Sequence, residues 1–396
     1  MIQIIQDTKE DFEWAVKLNR INLEMVGLWP KLEQNSEKKL TCTLRVFVIC
    51  IGFSLIIPAI HSLIRIHTDI MLAIDNLHYT LPLISSLMRL MVFWWKKKAL
   101  VTIVNMIAED WLKSKSLYER TVMIKWAQRT RICVICAFSI MGIAYGSIVS
   151  TTIFGKSMRL TSNITDPGRP MLLQTYYIYD VTKRPQYEFT LILQIVSVFI
   201  VILPYTGIDT FLGLLVFHIC GQLDILKSRL VHLHQYENFS DILKDSVRCH
   251  IRLLRAVAIV EDAYNIILLI LLLYFGILFA FQGFLLVSLF DEEKISIIRL
   301  STLLVGIANI FIHMCLYCAI GEVLMTRYDA IHYAVYNNEW YFLDSKKMKD
   351  LIIFMIKSGV PVYFTAGKIF PMTIAMFCSL LKTSAGYISF LLTTRN

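Results

Sequence analysis

Three pairs of side chains in the sequence have types and spacings that could bind a metal ion or carry redox chemistry. They are Cys133 and Cys136, Cys315 and Cys318, and His232 and His234. A structural zinc site needs four ligands, and the lone histidine pair has no neighbouring ligand cluster. Both cysteine pairs lie inside apolar stretches, where small packing side chains are the better interpretation. The chain also lacks a P-loop, a nucleophile elbow and a dinucleotide glycine pattern. We therefore expect no enzyme activity, no metal site and no cofactor.

A second group of residues places charge in or beside long apolar stretches. They are Asp75, Arg89, Glu322 and Lys382. A charge that faces lipid is costly, so these side chains are expected to face protein or water. For Glu322 and Lys382, a paired charge at the membrane interface and a functional role are both open interpretations.

The elements that must position these residues are membrane-spanning helices. The 396 residues are 56% hydrophobic and 17% charged, against roughly 25% charged in average soluble proteins. This composition excludes a disordered chain and a small disulfide-stapled domain. Seven apolar segments approach the roughly 20 residues needed to cross a bilayer, and their continuous runs favour helices over barrel strands. The segments are residues 44–66, 74–95, 132–153, 189–217, 266–290, 297–320 and 367–392.

The distribution of Lys and Arg predicts how these segments are oriented. Basic residues concentrate before the first span, between the second and third, and between the fourth and fifth. Because basic segments stay on the cytoplasmic side, residues 1–43 are expected in the cytoplasm and the C-terminus outside. The fold class predicted is therefore an all-α, seven-span membrane protein, and the net charge of +9 reflects this topology and attraction to anionic lipid rather than nucleic-acid binding. The sequon at Asn163 lies in the predicted outer loop, residues 154–188, and can carry sugar, whereas the sequon at Asn238 lies in the cytoplasm.

The segments between spans indicate one seven-span unit, residues 1–396, without a second soluble domain. Spans one to four occupy residues 44–217, and spans five and six occupy residues 266–320. Residues 218–262 and 321–358 are amphipathic but too charged to cross lipid, so they are expected to form cytoplasmic helices that pack on each other. Residues 359–361 contain Gly and Pro, which end helices, and so separate residues 321–358 from the last span, residues 367–392.

The final third of the chain carries a recognisable pattern of residues. The pattern consists of Gly321-Glu322, Ala334, Tyr336, Trp340-Tyr341, Lys347, Leu351, Thr365-Ala366-Gly367-Lys368-Ile369-Phe370, Phe377, Leu380-Leu381-Lys382-Thr383-Ser384 and Tyr387. It resembles the insect odorant receptor family, and upstream residues extend the resemblance over essentially the whole chain. Two motifs depart from the family pattern, Lys357-Ser358-Gly359-Val360-Pro361 and Ser384-Ala385-Gly386-Tyr387. These departures suggest a divergent member, similar to ant and bee receptors.

The resemblance implies an odorant-gated, non-selective cation channel in the plasma membrane of olfactory neuron dendrites. It implies a hetero-tetramer with odorant co-receptor subunits, a pore lined by the last span and an intracellular anchor of cytoplasmic helices. The large cytoplasmic insertion of the co-receptor is absent, so the chain looks like a ligand-tuning subunit. Its partners are expected to be co-receptor, membrane lipid and a small hydrophobic odorant, without nucleic acid.

The resemblance also places the odorant pocket in the outer half of the bundle, where a few polar groups among apolar ones suit a volatile ligand. The expected pocket residues are His78, Tyr79, Pro82, Ser139, Gly142, Tyr145, Gly146, Gln194, Val198, Thr302 and Val305. The expected pore residues are Ala385, Ser389 and Thr393, with Leu392 as the hydrophobic gate. For the two glycines, open space and close helix packing are both compatible with the sequence.

Three other classes of protein compete with this interpretation. A G-protein-coupled receptor would have an outer N-terminus and usually a cysteine-bridged outer loop, and neither is indicated. A gustatory-type chemoreceptor would carry a different motif in the last span. A transporter would usually show paired half-sequences with interrupted helices, and the sequence shows no such symmetry.

Overall fold

Helices make up nearly all of the chain in the computed structural model, which describes residues 2–31, 35–113, 115–155, 169–233, 238–290, 297–338 and 340–395. The helices are α1 (Ile2–Met25), α2 (Asn35–Ile66), α3 (Ile70–Trp95), α4 (Lys97–Leu112), α5 (Leu117–Ile153), α6 (Gln186–Val231), α7 (Phe239–Phe290), α8 (Ile297–Tyr336), a 3-10 turn (Trp340–Phe342), α9 (Ser345–Ser358) and α10 (Ile374–Arg395). The strands are β1 (Thr365–Ala366) and β2 (Phe370–Pro371). We call the end of the bundle that holds residues 66–70 and 169–186 the outer end, and the opposite end the inner end.

Several helices have the length and composition of membrane spans. Five helices of the described part, α2, α5, α6, α7 and α8, are long and apolar enough to cross a bilayer. Helices α6, α7 and α8 contain 46, 52 and 40 residues, about twice the roughly 20 that a crossing needs. Each of these three helices is therefore longer than a single bilayer crossing requires. Helices α3 and α10 correspond to the second and last predicted spans but do not belong to the set of five.

Local side-chain chemistry determines where two of these helices begin. The Asp69 carboxylate accepts hydrogen bonds from the backbone N–H groups of Met71 and Leu72 at the start of α3. Before α5, Ser116 and Glu119 form a reciprocal capping box. Such caps satisfy backbone donors that have no partner inside the helix.

The last helix begins at Ile374 rather than at Gly367, because residues 365–371 form a short antiparallel hairpin. Gly367 and Lys368 have φ values of +62° and +61°, and positive φ at both central residues is typical of a type I′ turn. The Gly367 N–H donates to the backbone oxygen of Asn265 at 2.8 Å. Helix α10 therefore starts from a hairpin that is docked on α7.

Helix α7 is the centre of the packing. It contacts α3, α4, α6, α8, α10 and β1, and much of its length is buried. Its Tyr264 hydroxyl donates to the backbone oxygen of Ile208 on α6 at 3.0 Å. Because α7 touches both the outer-half helices and α10, a movement in one group can be transmitted to the other through it.

Candidate functional site

A buried ion pair joins α3 and α6 in the inner half of the bundle. The Arg89 side chain is completely buried, and its guanidinium contacts the Asp209 carboxylate. The same guanidinium donates to the backbone oxygen of Tyr205 at 3.2 Å and lies 4.6 Å from the centre of the Tyr205 ring. Arg89 therefore faces protein, as expected for a charge in an apolar stretch.

Aromatic side chains of α7 and α8 form a cluster with Tyr205, the ring that contacts Arg89. His313 lies 6.2 Å from the Tyr205 ring and 6.4 Å from the Phe275 ring, and Phe275 lies 6.3 Å from Tyr317. A surrounding of low polarity strengthens the attraction between opposite charges and raises the cost of leaving either one alone. Sequence reasoning missed Asp209, although an acid inside a predicted span was a usable signal.

The predicted pocket residues are distributed over α3, α5, α6 and α8. On α3 and α6, Tyr79 and Val198 pack against the same buried apolar cluster. On α5, the Tyr145 hydroxyl donates to the backbone oxygen of Ile195 at 2.8 Å, and its ring lies 5.8 Å from Phe199. Of the remaining predicted residues, His78, Pro82 and Thr302 are half-buried, and Ser139 and Val305 are exposed.

The two glycines of α5 border open space. A Cβ atom added at Gly142 or at Gly146 would meet no other atom of the described residues within 4 Å. Both positions are exposed. The glycines therefore leave room beside α5 in the outer half, rather than bringing a neighbouring helix into close contact.

Gln194 is fully buried, and its amide holds the outer-end loop that precedes α6. Its Oε1 accepts from the backbone N–H of Leu173 at 3.0 Å, and its Nε2 donates to the Thr175 hydroxyl at 2.9 Å and to the Tyr177 hydroxyl at 3.1 Å. From α3, the Asn76 side chain donates to the backbone oxygen of Gln174 at 3.0 Å. Gln194 is thus committed to positioning the loop that closes the outer end.

A second buried amide in the outer half was not predicted. Gln282 on α7 is 1% exposed, and its Nε2 lies 3.4 Å from Nε2 of His78. A Cβ atom on Gly306 of α8 would lie 2.7 Å from the same nitrogen. The amide thus lies where α3, α7 and α8 meet. A single Gln inside the most apolar span was the sequence signal that could have drawn attention to it.

Helix α10 uses one face for packing and leaves another exposed. The Ser384 hydroxyl lies 3.4 Å from the backbone oxygen of Gly276, so this face packs on α7. Ala385 and Ser389 are exposed. Positions 392 and 393 follow them at helical spacing on the same face, and the side chains of Leu392 and Thr393 lie outside the described residues.

At the inner end, polar side chains connect α4, α6 and α7. Asp110 lies 3.2 Å from Nε2 of His218 and pairs with Arg252, which also reaches Glu109 at 3.2 Å. Burial alone would raise the pKa of Asp110, but the hydrogen bonds and charges of His218 and Arg252 outweigh it and lower that pKa. These contacts therefore join α4, α6 and α7 at the inner end.

Glu322 and Lys382, for which the sequence left two interpretations open, have different surroundings. The Glu322 carboxylate lies 3.4 Å from the backbone N–H of Ile374, the first residue of α10. A negative charge at this position stabilises a helix N-terminus. Glu322 therefore joins α8 to the start of α10, whereas Lys382 is exposed on α10.

The described residues contain no group of three or more side chains suited to hold a metal ion. All nine cysteines are free thiols. The His232 ring bonds to the backbone oxygen of Ser228, and His234 and Asn163 lie outside the described residues.

Long apolar helices of this number and packing define a multi-pass helical membrane protein. The sequence matches the family described as 7tm Odorant receptor over residues 69–385, and the chain belongs to that family, which is a family of receptors rather than enzymes. Odorant receptor 10 of Aedes albopictus is 26% identical over 267 residues, which cover 64% of this chain and 66% of that protein. Odorant receptor Or2 of Anopheles gambiae is 24% identical, over 72% of this chain and 74% of that protein.

The fold is also that of a solved insect olfactory receptor. The receptor OR5 of Machilis hrabei in complex with eugenol matches with a TM-score of 0.82 over 98% of this chain and 100% of that one, at 16% identity. A second structure of the same receptor matches with a TM-score of 0.78 over the same shares of the two chains. At this identity the likeness establishes the fold.

Proposed function

We propose that the chain is a ligand-tuning subunit of an odorant-gated, non-selective cation channel. A small hydrophobic odorant binds in the outer half of the bundle, and a pore lined by α10 opens in response. Membership of the odorant receptor family supports the ligand class. The observation that carries the channel proposal is the division of α10 into a face packed on α7 and an exposed face with Ala385 and Ser389.

The proposed topology has seven spans, formed by α2, α3, α5, α6, α7, α8 and α10. The basic residues between spans favour a cytoplasmic N-terminus and an outer C-terminus. The inner helices then form a cytoplasmic anchor, and the protein works in the plasma membrane of a sensory dendrite. A hetero-tetramer with co-receptor subunits would bring four α10 helices around one axis.

The odorant site proposed comprises the outer-half residues of α3, α5, α6 and α8 predicted above. The half-buried side chains of His78, Tyr79 and Thr302 support this location, as does the packing of Tyr79 and Val198 against one buried apolar cluster. Gln194 contributes indirectly, by holding the outer loop. The Machilis hrabei receptor binds eugenol, so a small volatile is a reasonable first probe for this chain.

In this proposal, odorant binds the open conformation more tightly than the closed one and so shifts the population toward opening. Helix α7 transmits the change because it contacts α3, α8 and α10. The hairpin before α10 takes part, since the Thr365 hydroxyl donates to the Glu261 carboxylate of α7 at 2.5 Å. Leu392 forms the constriction that excludes water from the closed pore.

Whole-cell recording from cells that express the chain with an odorant co-receptor tests the proposal. A panel of volatiles should evoke a cation current that is absent in cells with co-receptor alone. Replacing Leu392 with Ala should raise the basal current, because a smaller side chain admits water. Leu273→Ala, at an exposed position on α7, is the matched control and should leave that current unchanged. Equal basal currents in both variants would contradict the assignment of Leu392.

A further inference from the structure

Gln282 has an unusual position for a primary amide. It is 1% exposed and lies in the outer part of α7, where its sequence neighbours are apolar. Its Oε1 is buried and accepts no hydrogen bond within the described residues. A buried acceptor without a donor is unfavourable, so a function that uses the oxygen would explain its position.

Residues of two neighbouring helices fix the position of the amide. Gly306 lets α8 come close to the amide, because a Cβ atom at that position would lie 2.7 Å from Nε2 of Gln282. His78 lies on the other side, 3.4 Å from the same nitrogen. The nitrogen end of the amide is therefore held between α3 and α8, and the oxygen end is left for another donor.

This amide adjoins the odorant site proposed above. His78 belongs to that site, and Gly306 follows the site residue Val305 directly in α8. We infer that Gln282 Oε1 is a hydrogen-bond acceptor for the odorant, and that the receptor prefers volatiles carrying a hydroxyl group. The inference rests on the proposed function and adds the chemical class of the ligand to it.

An alcohol satisfies the buried oxygen, whereas a hydrocarbon or an ether leaves it without a donor. The difference between a satisfied and an unsatisfied buried acceptor corresponds to about a tenfold difference in potency. The apolar side chains of the site contribute similarly to ligands of equal size, and the Tyr145 hydroxyl and the Gln194 amide are already bonded to protein groups. The preference for a hydroxyl should therefore depend on Gln282 Oε1.

The experiment compares primary alcohols with methyl ethers and alkanes that have the same number of non-hydrogen atoms, over a series of chain lengths. Wild-type receptor with co-receptor should respond to the best alcohol at about tenfold lower concentration than to the matched ether and alkane. Gln282→Met keeps the side-chain length and removes the acceptor, so alcohol potency should fall until the three ligands lie within about twofold. Gln282→Leu should behave similarly.

Tyr317→Phe is the matched control, since it removes a buried hydroxyl without a described partner from the inner half of the bundle. It should leave the alcohol preference intact. Ligand-induced stabilisation of the purified wild-type and Gln282→Met receptors measures binding without gating and should show the same ranking. A wild-type receptor that responds equally to alcohols and alkanes, or a Gln282→Met receptor that keeps the preference, would overturn the inference while the proposed function stands. A wild-type receptor stabilised by alcohols but without any evoked current would instead contradict the proposed channel function.

Discussion

The buried pair of Arg89 and Asp209 makes a quantitative prediction about the stability of the receptor. Arg89→Met leaves the Asp209 carboxylate, which is 12% exposed, without a positive partner. Breaking a buried pair from one side costs about 3–5 kcal/mol. Lost contacts to Tyr205 account for part of this figure, since a desolvated cation–π contact contributes about 2 kcal/mol. For a protein with typical stability of about 5–15 kcal/mol, this is a large loss.

Removing both charges should be far less harmful. Arg89→Met combined with Asp209→Leu leaves no isolated charge, and apolar replacement of a buried pair is often neutral or stabilising. The single variant should therefore be poorly expressed at the cell surface and unfold at lower temperature in detergent, and the double variant should recover most of both properties.

The exposed pair of Arg20 and Glu13 supplies the control. Their side chains are 32% and 39% exposed, and such pairs contribute about 0–1 kcal/mol. Arg20→Met should therefore resemble wild type in surface expression and thermal unfolding. The reasoning would be refuted if Arg89→Met were as stable as Arg20→Met, or if the double variant were as unstable as the Arg89 single variant.

Three further predictions concern other parts of the chain. Because its pKa is lowered in the folded state, the Asp110 carboxylate stabilises the fold above about pH 4, and this stability is lost as the pH falls through the folded-state pKa. The difference in unfolding temperature between wild type and Asp110→Asn should therefore shrink on acidification. Gly321→Ala places Cβ 2.1 Å from a backbone oxygen beside the hairpin and should lower the unfolding temperature, whereas Gly213→Ala, with open space, should match wild type or gain up to about 1 kcal/mol. Asn163 should carry sugar and Asn238 should not, as a mobility shift on deglycosylation of Asn→Gln variants will report, and sugar on Asn238 would contradict the topology.

The helical architecture could be predicted because long apolar runs must satisfy their backbone hydrogen bonds within the bilayer. The long apolar runs predict helices, and the charged stretches after residues 217 and 320 predict helices extending beyond it. The requirement that Arg89 face protein also follows from its position. Its partner could not be predicted, because Asp209 is 120 residues away and only the packing of α3 on α6 brings them together.

Two other features depend on tertiary contacts that periodicity does not reveal. The last helix begins after a hairpin, because Gly367 adopts positive φ and docks on Asn265 of α7. Hydropathy cannot distinguish this short apolar hairpin from the first turns of a span. Gln194 was expected near the ligand as a polar group in the outer half, and the structure shows its amide engaged by the loop.

The most direct test of the central claim is the current evoked by volatiles in cells that express this chain with an odorant co-receptor. The account predicts a cation current that requires both subunits, appears within a volatile panel and is evoked at lowest concentration by alcohols. A panel that stabilises the purified receptor but evokes no current with any co-receptor, or a response that survives only through G-protein signalling, would contradict it.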